Sequence, residues 1–157
     1  MRYMRSQRKG MIINISSIAG RFAIPYQGLY SASKFAIEGY SQALALETKQ
    51  FGVKIVCVNP GDFNTGFTKA RKISQQTIDS EDYKQSFARV LKNVEKDELG
   101  GGSPELLARK IGKIVTKRYP RFHYIVAKDP IQTLAVYLSM ILPQNLFNWI
   151  IRLFYSV

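Results

Sequence analysis

At 157 residues, 46% of them apolar and 22% charged, the chain is long enough to bury one core and too apolar for a disordered polymer. Its formal net charge of +12 invites a nucleic-acid or anionic-membrane partner, but the basic residues are scattered and no nucleic-acid motif interleaves them, so nucleic acid is not expected. A single cysteine, Cys57, excludes a disulfide framework and points to a reducing, cytoplasmic setting, and no metal ligand is assigned.

Arg2, Arg5, Arg8 and Lys9 precede Gly10 as in the last turns of a helix, where cations offset the negative end of the dipole and glycine ends the run. The basic start followed by Met11-Ile12-Ile13 resembles the front of a secretory signal, yet Asn14, Ser16 and Ser17 interrupt the apolar stretch too early. Residues 11–15 read instead as a strand buried on both faces, and Ser16-Ser17-Ile18-Ala19-Gly20 leaves the sheet at its C-terminal end. Residues 30–50 carry Phe35, Ile37, Tyr40, Ala43, Leu44 and Leu46, close with Phe51-Gly52, and read as a helix. Residues 53–58, with Cys57 as buried filler, form the next buried strand and run into an Asn59-Pro60-Gly61 turn. Strand, helix, strand at this spacing is a βαβ unit with parallel strands and a right-handed crossover.

Residues 68–98 are polar and helical in character. Gly100-Gly101-Gly102 separates them from a helix that starts at Ser103-Pro104-Glu105, with a hydroxyl cap and proline in its first turn, and that buries Leu107, Ile111, Ile114 and Val115. Residues 122–127 make a third strand, in which His123 is an ordinary strand residue. The tail after Asp129 has no charge before Arg152. A membrane span needs about 20 continuous apolar residues, and Pro143-Gln144-Asn145 divides the tail into residues 131–142 and 146–157. In the second piece Leu146, Phe147, Ile150, Leu153 and Phe154 share one helical face, with Asn148, Trp149 and Arg152 turned away. This amphipathic helix is expected either to wall the active-site rim, favouring a lipid-like substrate such as a retinoid, steroid or long acyl chain, or to lie on a membrane surface.

The chemistry converges on Tyr30-Ser31-Ala32-Ser33-Lys34. Helix positions i and i+4 share a face, with Cβ atoms roughly 5–6 Å apart, so Lys34 can favour the ionised form of the Tyr30 phenol. A phenol of ordinary pKa, about 10, is otherwise a poor acid or base at neutral pH. The offset alone is weak. Tyr124 and Lys128 repeat it within a predicted strand, where four residues span roughly 13 Å at about 3.3 Å each, too far to cooperate. In open parallel sheets ligands sit beyond the carboxyl ends of the strands. Ser17 follows the first strand, Pro60-Gly61 ends the second, and the intervening helix starts at the same edge, so topology gathers Ser17, Tyr30, Lys34 and Thr65 on one rim.

Asn14-Ile15-Ser16-Ser17-Ile18-Ala19-Gly20, then Tyr30-x-x-x-Lys34, then Asn59-Pro60-Gly61-x-x-x-Thr65, in that order, resemble the C-terminal, catalytic half of the short-chain dehydrogenase/reductase family over residues 1–128. The resemblance implies an α/β fold, the second half of a doubly wound, Rossmann-like parallel sheet, followed by the amphipathic helical tail, 129–157. It implies an NAD- or NADP-dependent oxidoreductase acting on an alcohol/carbonyl pair. Tyr30 would be the acid/base on the substrate oxygen, Ser17 would hydrogen-bond that oxygen, and Lys34 would hold the nicotinamide ribose hydroxyls and lower the Tyr30 pKa. Pro60, Gly61, Phe63 and Thr65 would cradle the nicotinamide, with Thr65 on its carboxamide. Ser17 is preferred to Ser16 because it lies thirteen residues before Tyr30, as in the family. A homo-oligomer paired through the helix that carries Tyr30 is also implied. The family's glycine-rich phosphate loop and its Asn-Asn-Ala-Gly element have no counterpart here, and the residue that selects NAD or NADP is missing with them. The chain therefore reads as a catalytic half, a fragment or truncated product, inactive alone and with an unpaired apolar edge at its first strand. The rival reading is a non-catalytic remnant that binds a partner chain or a membrane through that edge and the tail.

Overall fold

The computed structural model describes residues 1–157. A short helix, α1 (Arg2–Ser6), leads into β1 (Gly10–Ile15); a 3₁₀ turn at Ile18–Gly20 follows, then α2 (Gly28–Thr48) and β2 (Val53–Pro60). Four helices come next: α3 (Phe67–Ala70), α4 (Gln75–Asp79), α5 (Lys84–Leu99) and α6 (Pro104–Val115). The chain closes with β3 (His123–Val126), α7 (Pro130–Ile141) and α8 (Gln144–Tyr155). The β-branched runs pair as one parallel sheet in the order β1-β2-β3, with Ile12 opposite Ile55 and Val58 opposite Tyr124.

Side chains alternate along a strand, and β2, in the middle, buries both of its faces. Leu44 of α2 packs on Val53 and Ile55, while Ile114 of α6 packs on Val56 and Val58. The two helices thus cover opposite faces, although both connections step the same way along the sheet. They therefore have opposite hands, and one departs from the right-handed rule. The second connection, long enough to route through three other helices, has the freedom to do so.

Asp129 starts α7 by accepting a hydrogen bond at Oδ1 from the Ile131 amide (2.8 Å), with Pro130 in the first turn. Pro143 separates α7 from α8. The tail is built into the body: Val136 and Phe147 pack with Ile18 and Phe22, and Tyr155 packs with Val90 and Val94 of α5. Full burial of a side chain like Phe147 stabilises by about 1.5–3 kcal/mol. No helix is long and apolar enough to cross a membrane.

Several sequence expectations need correction. β1 is only half-buried, and Ile15 is exposed, because the strand has one neighbour, β2, and its other edge is open as anticipated. The expected turn at Asn59-Pro60-Gly61 is instead the end of β2: Pro60 pairs with Val126, the Gly61 amide still donates to the Val126 carbonyl oxygen (2.9 Å), and the chain leaves the sheet after Gly61. Residues 68–98 are helical as expected, in three segments, since Arg71 and Ser80 adopt extended backbone. Ser103 makes no side-chain cap, and Val115 is exposed. In α8 the buried face is Phe147, Ile151 and Tyr155; Leu146 and Leu153 face solvent. The inward face of α2 is largely polar, with Ser31, Glu38, Ser41 and Thr48 around Leu44, while Phe35, Tyr40 and Leu46 point out.

Candidate active site

Ser17, Tyr30, Lys34, Pro60, Gly61, Phe63 and Thr65 all line one cavity of about 450 Å³ at the C-terminal edge of the sheet. Each reaches it for a local reason. Ser17 begins the 3₁₀ turn after β1, and its Oγ accepts from the Ala19 amide (3.1 Å), so it is both a turn residue and a cavity hydroxyl. That turn lies tight on α2. A Cβ at Gly20 would meet Ser16 Oγ at 2.6 Å and the Lys34 carbonyl oxygen at 3.0 Å, which explains why glycine follows the two serines. Tyr30 sits in the first turn of α2 with its ring against Phe67 (centroids 5.5 Å apart). One turn on, Lys34 Nζ lies 5.5 Å from the Tyr30 ring centroid and donates to the Ile15 carbonyl oxygen (3.3 Å). Thr65 Oγ1 accepts from the Phe67 amide (3.2 Å), so the expected capping role and a cavity position coincide. Phe147, Ile151 and Phe154 of α8 with Leu134 and Leu138 of α7 form an apolar wall opposite.

Behind Ser17 lies a polar network that sequence reasoning missed. Asn59 Nδ2 donates to the Ser17 carbonyl oxygen (3.1 Å) and to Glu38 Oε1 (2.6 Å). Cys57 Sγ donates to the same Glu38 oxygen (3.3 Å), and Glu38 Oε2 accepts from His123 Nε2 (2.8 Å) and lies 3.8 Å from Arg21 Nη1. Burial alone would raise the Glu38 carboxyl. The polar contacts from His123, Ser16, Asn59 and Cys57 outweigh it and bring the pKa down to about 2. His123 is thus more than a strand residue: it ties β3 to α2. The one visible signal was Glu38 itself, a carboxylate two turns after Tyr30 on the face that packs on the sheet.

Residues 1–76 match the short chain dehydrogenase family. Over 155 residues, 99% of this chain and 57% of the relative, the sequence is 51% identical to a 3-ketodihydrosphingosine reductase of Bacteroides thetaiotaomicron. The chain belongs to the short-chain dehydrogenase/reductase family. Its fold is that family's in part. A short-chain dehydrogenase from Streptomyces avermitilis superposes with a TM-score of 0.69 at 24% identity, covering 89% of this chain and 50% of that one. A short-chain dehydrogenase from Mycobacterium paratuberculosis bound to NAD gives 0.60 at 25% identity, covering 83% and 48%. This chain therefore spans about half the length of the relatives it matches.

In this short-chain dehydrogenase half the donors fit the nicotinamide end of a dinucleotide. Lys34 Nζ has three N–H bonds and directs one at Ile15, which leaves donors for the vicinal hydroxyls of a ribose. The Thr65 hydroxyl proton is free to donate while its oxygen accepts from Phe67. The expected lowering of the Tyr30 pKa does not occur. Burial raises it, as do the charges of Asp62 and Glu98, against a lowering by the Ser17 hydroxyl. Lys34 sits over the ring and is turned to Ile15, so its charge is not directed at the phenol oxygen. Burial in turn lowers the Lys34 pKa.

Proposed function

We propose that residues 1–128 are the catalytic half of an NAD- or NADP-dependent reductase domain, that residues 129–157 cover its substrate, and that the substrate is a long-chain ketone of the 3-ketodihydrosphingosine type. The observation that carries this reading is a single cavity in which Ser17, Tyr30 and Lys34 face an apolar wall from α7 and α8. Its volume, about 450 Å³, is in the range that holds a small-molecule ligand. The 51% identity to a reductase of that named ketone supports the substrate class.

The carbonyl oxygen accepts hydrogen bonds from the Ser17 and Tyr30 hydroxyls. When bound, the reduced dinucleotide supplies the hydride that the carbonyl carbon takes up. Tyr30 gives its phenolic proton to the oxygen, which completes the secondary alcohol and leaves a phenolate. Burial raises the Tyr30 pKa, so the phenol is protonated at neutral pH and has a proton to give when the carbonyl oxygen develops charge. Lys34 would hold the ribose hydroxyls with the N–H bonds it does not direct at Ile15. Pro60, Gly61, Phe63 and Thr65 would hold the nicotinamide, and the Thr65 hydroxyl would donate to its carboxamide. The apolar wall keeps water from the reacting carbon.

A homo-oligomer paired through the exposed Phe35, Tyr40 and Leu46 of α2 accompanies this reading. A second reading, surface contact with a membrane that delivers the lipid, is supported by the exposed Leu134, Tyr137 and Ile141 of α7 and Leu146, Trp149 and Leu153 of α8.

The intact enzyme is expected to oxidise NADH or NADPH with a long-chain 3-ketone, and Tyr30→Phe to lower turnover by about 10²–10⁴-fold, the usual contribution of a general acid, with dinucleotide affinity almost unchanged. Retention of more than a tenth of the rate would show that the proton comes from elsewhere. An intact protein inert towards every ketone would favour the non-catalytic remnant.

A further inference from the structure

The ketone-reductase reading leaves one cavity group without a task. Asp62 follows Gly61 directly and lines the same cavity as Tyr30 and Ser17. It is fixed with unusual care. Gln132 of α7 donates from Nε2 to Asp62 Oδ2 (2.5 Å) and accepts from the Asp62 amide at Oε1 (3.0 Å), a two-point bridge across seventy positions. On the other side the Asp62 carbonyl oxygen accepts from the Gly102 amide (2.9 Å), and Asn64 donates its amide to the Gly102 carbonyl oxygen (2.9 Å). The Asp62 side chain and backbone are thus both immobilised. No lysine, arginine or histidine forms an ion pair with the carboxylate. Its other oxygen, Oδ1, accepts no hydrogen bond from the protein.

Of the neighbouring carboxylates that line the cavity, Asp97 makes no side-chain hydrogen bond or ion pair and so has no fixed mount, and the other two are engaged. Glu98 is paired with Arg71 and accepts from Thr68, and Asp129 caps α7. Asp62 alone combines a place in the cavity, a rigid mount and no counter-ion. Burial first, then the charges of Asp97 and Glu98, push its pKa up to about 6, so the carboxylate is ionised at neutral pH but poorly compensated. A cation supplied by the ligand would relieve that, and one ligand in the cavity can meet both Asp62 and Tyr30, which line it together.

We propose that Asp62 is a specificity-determining residue: its free Oδ1 accepts a hydrogen bond from the ammonium group of a long-chain α-amino ketone, while the adjacent carbonyl faces Ser17 and Tyr30 and the alkyl chain follows the wall of Phe147, Ile151 and Phe154. Gln132 is the positioning residue that aims the carboxylate. The proposal rests on the ketone-reductase reading of the cavity and assigns to Asp62 the recognition of the amine beside the carbonyl.

Binding, measured separately from turnover, tests the two readings apart. The intact enzyme loaded with reduced dinucleotide is titrated calorimetrically with a long-chain 2-amino-1,3-diol and with the same diol lacking the amine, two product-like ligands that cannot react in that state. The wild-type protein should bind the amine about tenfold or more tightly, the size of one hydrogen bond between charged groups. Asp62→Asn should abolish that preference and change affinity for the neutral diol by less than about twofold, which also shows that the variant is folded. Gln132→Ala should reduce the preference in part. Equal binding of both diols by the wild type, or an equal loss of both in Asp62→Asn, would overturn the assignment. Absence of ketone turnover alongside an Asp62-dependent amine preference would instead remove the reductase reading and leave the ammonium site standing.

Discussion

At the scale of single residues, the groups that act on substrate differ from the groups that hold them in how they are written in the chain. Tyr30 and Lys34 are legible because one helical turn links them, and Ser17 because a parallel strand must end at the same rim. Glu38 and His123 are not legible: they meet across 85 positions, and neither belongs to a local pattern. Asp62 is adjacent to a recognisable Pro-Gly pair, yet its lack of a counter-ion can be known only once every cation has been placed. Glu38 also makes the residue with the clearest pH signature. Its folded-state carboxyl ionises at about 2 against an ordinary 4.5, so the folded chain binds fewer protons than the unfolded chain between those values, and stability rises with pH across that window. The contribution is complete above about pH 4.5 and is lost as pH falls towards 2; its size is of order 3 kcal/mol. Thermal melts at pH 3 and pH 7 should therefore show a steep acid loss in the wild type and a much shallower one in Glu38→Gln. A wild-type melting temperature equal at the two pH values would refute the coupling.

At the scale of elements, type and order are legible and facing is not. The β-branched runs at 11–15 and 53–58 and the glycine-closed helix before the second are local signals, and each forms close to where it is expected. Which face turns inward depends on the neighbour. α2 meets the sheet through Leu44, through Ser41, which accepts from Asn14 Nδ2 (2.8 Å), and through Thr48, which donates to the Val53 carbonyl oxygen (3.2 Å), so Phe35, Tyr40 and Leu46 are left outside. The glycine triplet illustrates the same limit. It is a helix breaker by composition, but the structure uses it as a clasp for the site loop: a Cβ at Gly101 would meet the Asp62 carbonyl oxygen at 2.5 Å, and Phe63 pairs with Gly102 as an isolated parallel bridge. Gly101→Ala should destabilise by about 1–3 kcal/mol, the usual cost of overpacking, and should weaken ketone turnover further by shifting Asp62. Gly112→Ala, in exposed mid-helix of α6 with nothing near its Cβ, should stabilise by about 0.5–1 kcal/mol. Urea titrations of both variants decide the matter, and the same sign for the two would contradict the clasp.

At the scale of the whole molecule, the tail completes the cavity. Phe154 separates its two roles, because it lines the cavity while remaining 56% exposed. Phe154→Ala should leave the melting temperature within a few degrees of wild type and raise KM for a long-chain ketone by about tenfold, while a short aliphatic ketone is affected by less than about twofold; an equal rise for both would exclude α8 as a chain-binding wall. The clasp at Gly102 and the Gln132 bridge also have a consequence in time. Met11 pairs with Lys54 across 43 positions and Cys57 with His123 across 66, and the Asp62 loop is fixed by partners forty and seventy positions away, so sheet and cleft close loops of similar length before any contact repays the entropy. The cleft is accordingly assembled no earlier than the third strand and α7. A local opening of α7 takes Gln132 from the Asp62 loop while the pairing of β1 with β2 stays intact.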